Sequence, residues 1–120
     1  MKRIVVGGQI DKESLAELIQ SCAQGAFSVE IKSDLEAAMD VQTKQADYYF
    51  GACNTGGGGA LAMAIALLGK DKCATISMPG KIMSESEMIA EIKNGKIAFG
   101  FTAQDKERVV PFLIASLLEQ

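Results

Sequence analysis

Short apolar runs alternate along this chain with segments whose apolar residues recur every three or four positions. Residues 3–6 form a β-branched run, and Phe27, Val29 and Ile31 alternate with Ser28 and Glu30. Residues 48–52, 73–77 and 97–101 form further strand-like runs. Between them lie helical patterns. Leu15, Leu18, Ile19 and Cys22 stand at i, i+3, i+4 and i+7, one face of a helix over residues 11–23, with Asp11 as its cap and Gly25 as its stop. Ser33 followed by Glu36 reads as a capping box opening a second helix. A third helix is expected over residues 58–68 and a fourth over residues 84–93, ending near Asn94 and Gly95. Val110, Leu113, Ile114, Leu117 and Leu118 share a face of the last helix. Pro111 stands inside it, and a proline there either kinks a helix or marks its start.

Five strands separated by single helices imply βαβ units and a parallel sheet. The expectation is one α/β domain over residues 1–120. Its form is a three-layer doubly wound parallel five-stranded sheet, with strands in the order 2-1-3-4-5. A chain of 120 residues suits one domain.

Composition narrows the classes. Hydrophobic residues make up 48% and charged residues 22%, close to the globular average. The net charge is −3, and lysines and arginines are scattered rather than striped. Nucleic acid is therefore not expected as a partner. The apolar run after Met1, Lys2 and Arg3 stops at Gly7, too short for a signal peptide's core. The longest apolar stretch, residues 60–68, is about half of a membrane span. A cytoplasmic location without membrane contact is expected. Cys22, Cys53 and Cys73 are far apart and odd in number, which does not suggest a disulfide framework. With no histidine and no Cys-x-x-Cys, neither a metal site nor a cofactor is expected.

In doubly wound sheets ligands bind beyond the carboxyl ends of the strands, where the strand order reverses. Here that point lies between strands one and three, whose turns carry Gly7, Gly8 and Gln9, and Cys53, Asn54, Thr55, Gly56, Gly57, Gly58 and Gly59. Glycine lets a ligand come close to backbone N–H groups, and a helix N-terminus favours an anion. Gly7, Gly8, Asn54, Gly56, Gly57, Gly58 and Gly59 are thus candidate ligand-binding residues. The structural alternative for the four glycines of the second turn is that they only make a tight strand-to-helix turn and allow close helix packing. The run fits neither a dinucleotide fingerprint nor a P-loop. Cys53 is a candidate base or nucleophile, or else a small buried residue at a strand end. Lys81, in the turn after strand four, is a candidate for charge on an anion, or else a solvated lysine. The third helix is apolar nearly all round, so it is expected to pack against a second copy of the chain as a homodimer through residues 60–68.

The stretch Ala46-Asp47-Tyr48-Tyr49-Phe50-Gly51-Ala52-Cys53-Asn54-Thr55-Gly56 and the apolar helix after it resemble the YhfU-type family of uncharacterised bacterial proteins. The likeness extends to residues 34–39 and 96–100. It implies no activity, because the family is a domain of unknown function. A local stretch, residues 46–76, is similar to ribose-5-phosphate isomerase B around Cys53, Thr55, Gly56 and Gly58. That resemblance implies Cys53 as the proton-moving base and Thr55 as a positioning hydroxyl. Where the isomerases carry an Asp-His pair after strand one, this chain reads Gly7-Gly8-Gln9, and it has no histidine.

The leading expectation is a domain that binds a small anionic metabolite, such as a sugar phosphate, at the glycine-rich turn. The alternatives are an isomerase-like enzyme using Cys53 and a non-enzymatic interaction subunit.

Overall fold

The structure is a computed structural model that describes residues 1–54 and 57–120. Strands β1 (Lys2–Gly8), β2 (Phe27–Ile31), β3 (Tyr48–Cys53), β4 (Cys73–Thr75) and β7 (Ala98–Thr102) form one sheet. All its neighbours run parallel, in the order β2-β1-β3-β7-β4. A small antiparallel hairpin, β5 (Ser77–Met78) and β6 (Lys81–Ile82), follows β4. The helices are α1 (Lys12–Ala23), α2 (Asp34–Gln42), α3 (Gly57–Ala60), α4 (Ala62–Leu68), α5 (Glu85–Lys93) and α6 (Lys106–Leu118).

The three-layer, doubly wound parallel class is as expected, but the strand order is corrected. The last strand lies inside β4 rather than beyond it. All five residues of β7 are buried, with Phe99 and Phe101 on one face and Ala98 and Gly100 on the other. A strand apolar on both sides belongs in the middle of a parallel sheet. The three-residue β4 makes a short edge, which limits exposed pairing groups. Connections that step toward β2 carry α1 and α5 on one face, and those that step away carry α2 and α4 on the other. A single crossover hand requires that division.

Local signals account for most element ends. Ser33 Oγ accepts from the Glu36 N–H at 3.1 Å and opens α2, while Ser84 and Glu87 close a full capping box on α5. Asp11 precedes α1 but makes no side-chain cap; its backbone is left-handed and its carboxylate pairs with Lys106 at 2.7 Å. Gly25 stands one residue beyond the C-cap, which is Gln24. Pro111 lies within α6, which neither begins nor ends there. Leu118 is exposed, so the buried face of α6 is Val110, Leu113, Ile114 and Leu117, with Val109 beside it. The expected third helix is broken at Leu61, whose backbone leaves helical geometry, into one turn and a seven-residue helix.

One row across the sheet sets how closely the α2–α4 layer approaches. Gly7 is paired in register with Gly51, and Gly51 with Gly100. A Cβ on Gly7 would stand 2.6 Å from the Tyr49 ring, and one on Gly100 would stand 2.5 Å from Leu61 Cγ. The row is therefore a trough that holds the Tyr49 ring and Leu61 flat on the sheet. The Tyr49 hydroxyl donates to the Asp34 carboxylate at the start of α2 or to the Ala60 carbonyl, 2.6 Å away, and lies within bonding distance of both.

Overpacking of a fitted core costs about 1–3 kcal/mol. Gly7→Ala is expected to lower the free energy of unfolding by about that much, read by urea denaturation. Tyr49→Phe should cost a comparable amount, about 1–3 kcal/mol, because it strands a buried carbonyl and a part-buried carboxylate. A Gly7→Ala protein as stable as the parent would show that the trough is not close-packed.

Candidate ligand site at the carboxyl edge of the sheet

The strand order reverses between β1 and β3, and their carboxyl ends lie side by side, with Gly8 opposite Ala52. Gly8 has φ of +80°, and a Cβ there would stand 2.7 Å from the Ala52 nitrogen. That conformation folds the β1–α1 turn back over β3, so the Gln9 N–H donates to the Ala52 carbonyl at 3.1 Å. The Gly8 N–H donates to Asp34 Oδ1 at 3.2 Å. Two backbone donors of the first glycine turn thus have partners inside the fold. Gly7 lies under the Tyr49 ring. Gly7 and Gly8 therefore serve close packing in the structure.

The second turn is different. Cys53 ends β3, is buried, and points to the α2–α4 side of the sheet. Gly59 sits above it. A Cβ on Gly59 would be 2.9 Å from Gln9 Oε1 and 3.3 Å from Cys53 Sγ. Glycine at 59 thus leaves the space beside both the Gln9 carboxamide and the Cys53 thiol free of a Cβ. Asn54 is exposed beside them. Thr55 and Gly56 lie outside the described residues, and of Gly57 and Gly58 only the helical backbone is described. The helix that follows the turn is a single turn long, so the dipole expected of an eleven-residue helix does not develop there.

Thr102 is the residue that sequence reasoning missed. It ends β7 in register with Cys53, and alternation along β7 puts its side chain on the same face as Cys53. Its relative exposure is 3%, and its Oγ1 has no hydrogen-bond partner among the described residues. Its backbone N–H donates to Ser77 Oγ at 3.0 Å, so the β5–β6 hairpin closes this end of the sheet. An unpaired buried hydroxyl is uncommon and calls for a reason. The sequence signal was weak: a threonine after Phe101 reads as an ordinary strand end until the register places it beside Cys53.

Lys81 lies on the same edge but on the hairpin. It lines a cavity of 120 Å³ with Ser77, Met83 and Glu87, and a cleft of 330 Å³ with Asp105 and Arg108. Neither space includes Gln9, Cys53 or Gly59 among its lining residues. Asp47 is at the opposite edge, where its carboxylate accepts from the Arg3 N–H at 2.8 Å. Among the described residues no cluster of Cys, Asp and Glu is arranged to hold a metal ion. No helix there is long and apolar enough to cross a membrane.

Fold and edge together define a small doubly wound α/β domain with a polar cluster of Gln9, Cys53, Asn54 and Thr102 where the strand order reverses. The chain belongs to the family described as "Protein of unknown function DUF2620", which matches residues 2–117. It is 47% identical over 118 residues to "Uncharacterized protein YhfU" of Escherichia coli strain K12, covering 98% of this chain and 99% of that one. The relative of the same name in Shigella flexneri matches to the same extent. No solved structure gives a significant match. The local likeness to ribose-5-phosphate isomerase B gains no support from these matches.

Burial pushes the Cys73 thiol up to about 11 and also raises the Tyr49 hydroxyl, to which the Asp34 hydrogen bond contributes. Both acids hold their protons more tightly when folded. The unfolded chain therefore ionises first as pH rises, and stability falls from about pH 9 upward. The urea midpoint is expected to be level below that pH and to drop by pH 11, with a shallower fall in Cys73→Ala. In the native protein iodoacetamide should label the half-buried Cys22 before the buried Cys53 and Cys73. Equal labelling of all three without denaturant would contradict that placement.

Proposed function

We propose that this protein binds a small anionic metabolite at the carboxyl edge of its sheet, over the ends of β3 and β7. The Thr102 hydroxyl, buried beside Cys53 without a hydrogen-bond partner among the described residues, supports this most directly. An unsatisfied buried hydroxyl costs about 1–3 kcal/mol, and a bound oxygen acceptor would remove that cost. The exposed Gln9 and Asn54 carboxamides offer further polar contacts, and Gly59 places no side chain against Gln9. A phosphate or carboxylate suits such donors, and the remainder of a sugar-phosphate-like molecule would extend over the turn at residues 53–59. Thr55 and Gly56 complete the turn in sequence.

Thermal unfolding against sugar phosphates, free sugars, nucleotides, carboxylates and inorganic phosphate tests the proposal. A ligand at a hundred times its dissociation constant adds about 2.7 kcal/mol. For a domain of this size that raises Tm by about 10 °C. Thr102→Val keeps the shape and removes the hydroxyl. It should leave the free protein as stable as the parent or up to about 3 kcal/mol more stable, and it should abolish the ligand-induced shift. Loss of stability in the free variant would show that the hydroxyl has a structural partner. No shift with any anion would remove the proposal.

A further inference from the structure

Helix α4 reads Ala62-Met63-Ala64-Ile65-Ala66-Leu67-Leu68 and contains no polar side chain. A helix on the outside of a small domain ordinarily carries a polar face. Only Ala64 is fully buried; Met63 is 40% exposed and Ile65 is 36% exposed. Beside it, α2 presents Leu35 at 49% and Met39 at 46% exposure. Gln42 Nε2 donates to the Leu67 carbonyl at 3.1 Å and ties the two helices together. Leu35, Met39, Met63 and Ile65 therefore give the outer side of this layer a largely apolar character.

The charges at its two ends differ in sign. At the carboxyl edge of the sheet, α2 begins with Asp34 and Glu36. At the opposite edge, α2 is followed by Lys44, and α4 by Lys70 and Lys72 with Asp71 between them, while Asp40 in the last turn of α2 is paired with Lys32, so lysine stays in excess there. Both helices return against the strand direction, so they run the same way and their dipoles add to this polarity. A second copy laid face to face with parallel helices would set acid against acid and lysine against lysine. Turned antiparallel, it would set the acidic end of each copy against the basic end of the other. Such complementarity fixes orientation, while apolar burial supplies the affinity.

We propose that the α2–α4 face is the interface of a two-fold homodimer. Its axis lies in the interface and perpendicular to the helices, so α2 meets the partner's α2 antiparallel. This proposal is independent of the ligand reading. Sedimentation equilibrium of the full chain at tens of micromolar should give twice the 12.7 kDa chain mass. Met63→Glu with Met39→Glu should give the single-chain mass with an unchanged circular dichroism spectrum, since both side chains are exposed. Lys44→Glu and Glu36→Lys should each weaken the dimer by about tenfold or more, and the double swap should restore it. A monomeric parent chain overturns the proposal, including the case where a different protein covers this face. A dimer that survives the methionine changes overturns the surface. A dimer untouched by the single charge changes, or weakened by them and not restored by the double swap, overturns the antiparallel arrangement.

Discussion

The Tyr49 hydroxyl, held between the Asp34 carboxylate and the Ala60 carbonyl, is the contact on which the carboxyl edge depends. It joins β3 to the first turn of α2 and to the last residue of α3. Asp34 in turn holds the Gly8 N–H and so fixes the end of β1. The bond forms only because the ring can lie flat on Gly7 and Gly51, which leave no Cβ in its way. Removing the ring, either glycine or the carboxylate would loosen the same four segments. Burial in this trough is also what raises the hydroxyl's pKa, and it keeps the group a neutral donor.

This arrangement divides the glycines by task. Gly7, Gly51 and Gly100 set the spacing between sheet and helices, and Gly8 takes a left-handed turn that most side chains avoid. Gly59 alone, among those described, keeps space between two polar side chains, Gln9 and Cys53. The Thr102 hydroxyl is enclosed by the end of the sheet while its backbone N–H donates to Ser77.

Much of the fold was readable from local pattern. The five main strands, the serine caps of α2 and α5, and the apolar faces of α1 and α6 follow from side-chain periodicity and hydrogen bonding within a few residues. Family membership was readable from the Tyr48–Cys53 strand and the apolar helix after it. Other features were not local. At the break the Leu61 side chain lies on Gly100, a residue far along the chain. Asp11 lost its expected capping role to an ion pair with Lys106.

The sequence by itself determined the class of fold, the positions of its turns and the presence of glycine-rich segments at two strand ends. Periodicity and turn chemistry act over a few residues, so they are legible in one dimension. Tertiary structure decided that β7 enters between β3 and β4, because a strand buried on both faces is most stable at the centre. That insertion sets Thr102 beside Cys53 and aligns Gly7, Gly51 and Gly100 in one row. Register between distant strands depends on the packing of both sheet faces at once, and no short stretch of sequence carries it.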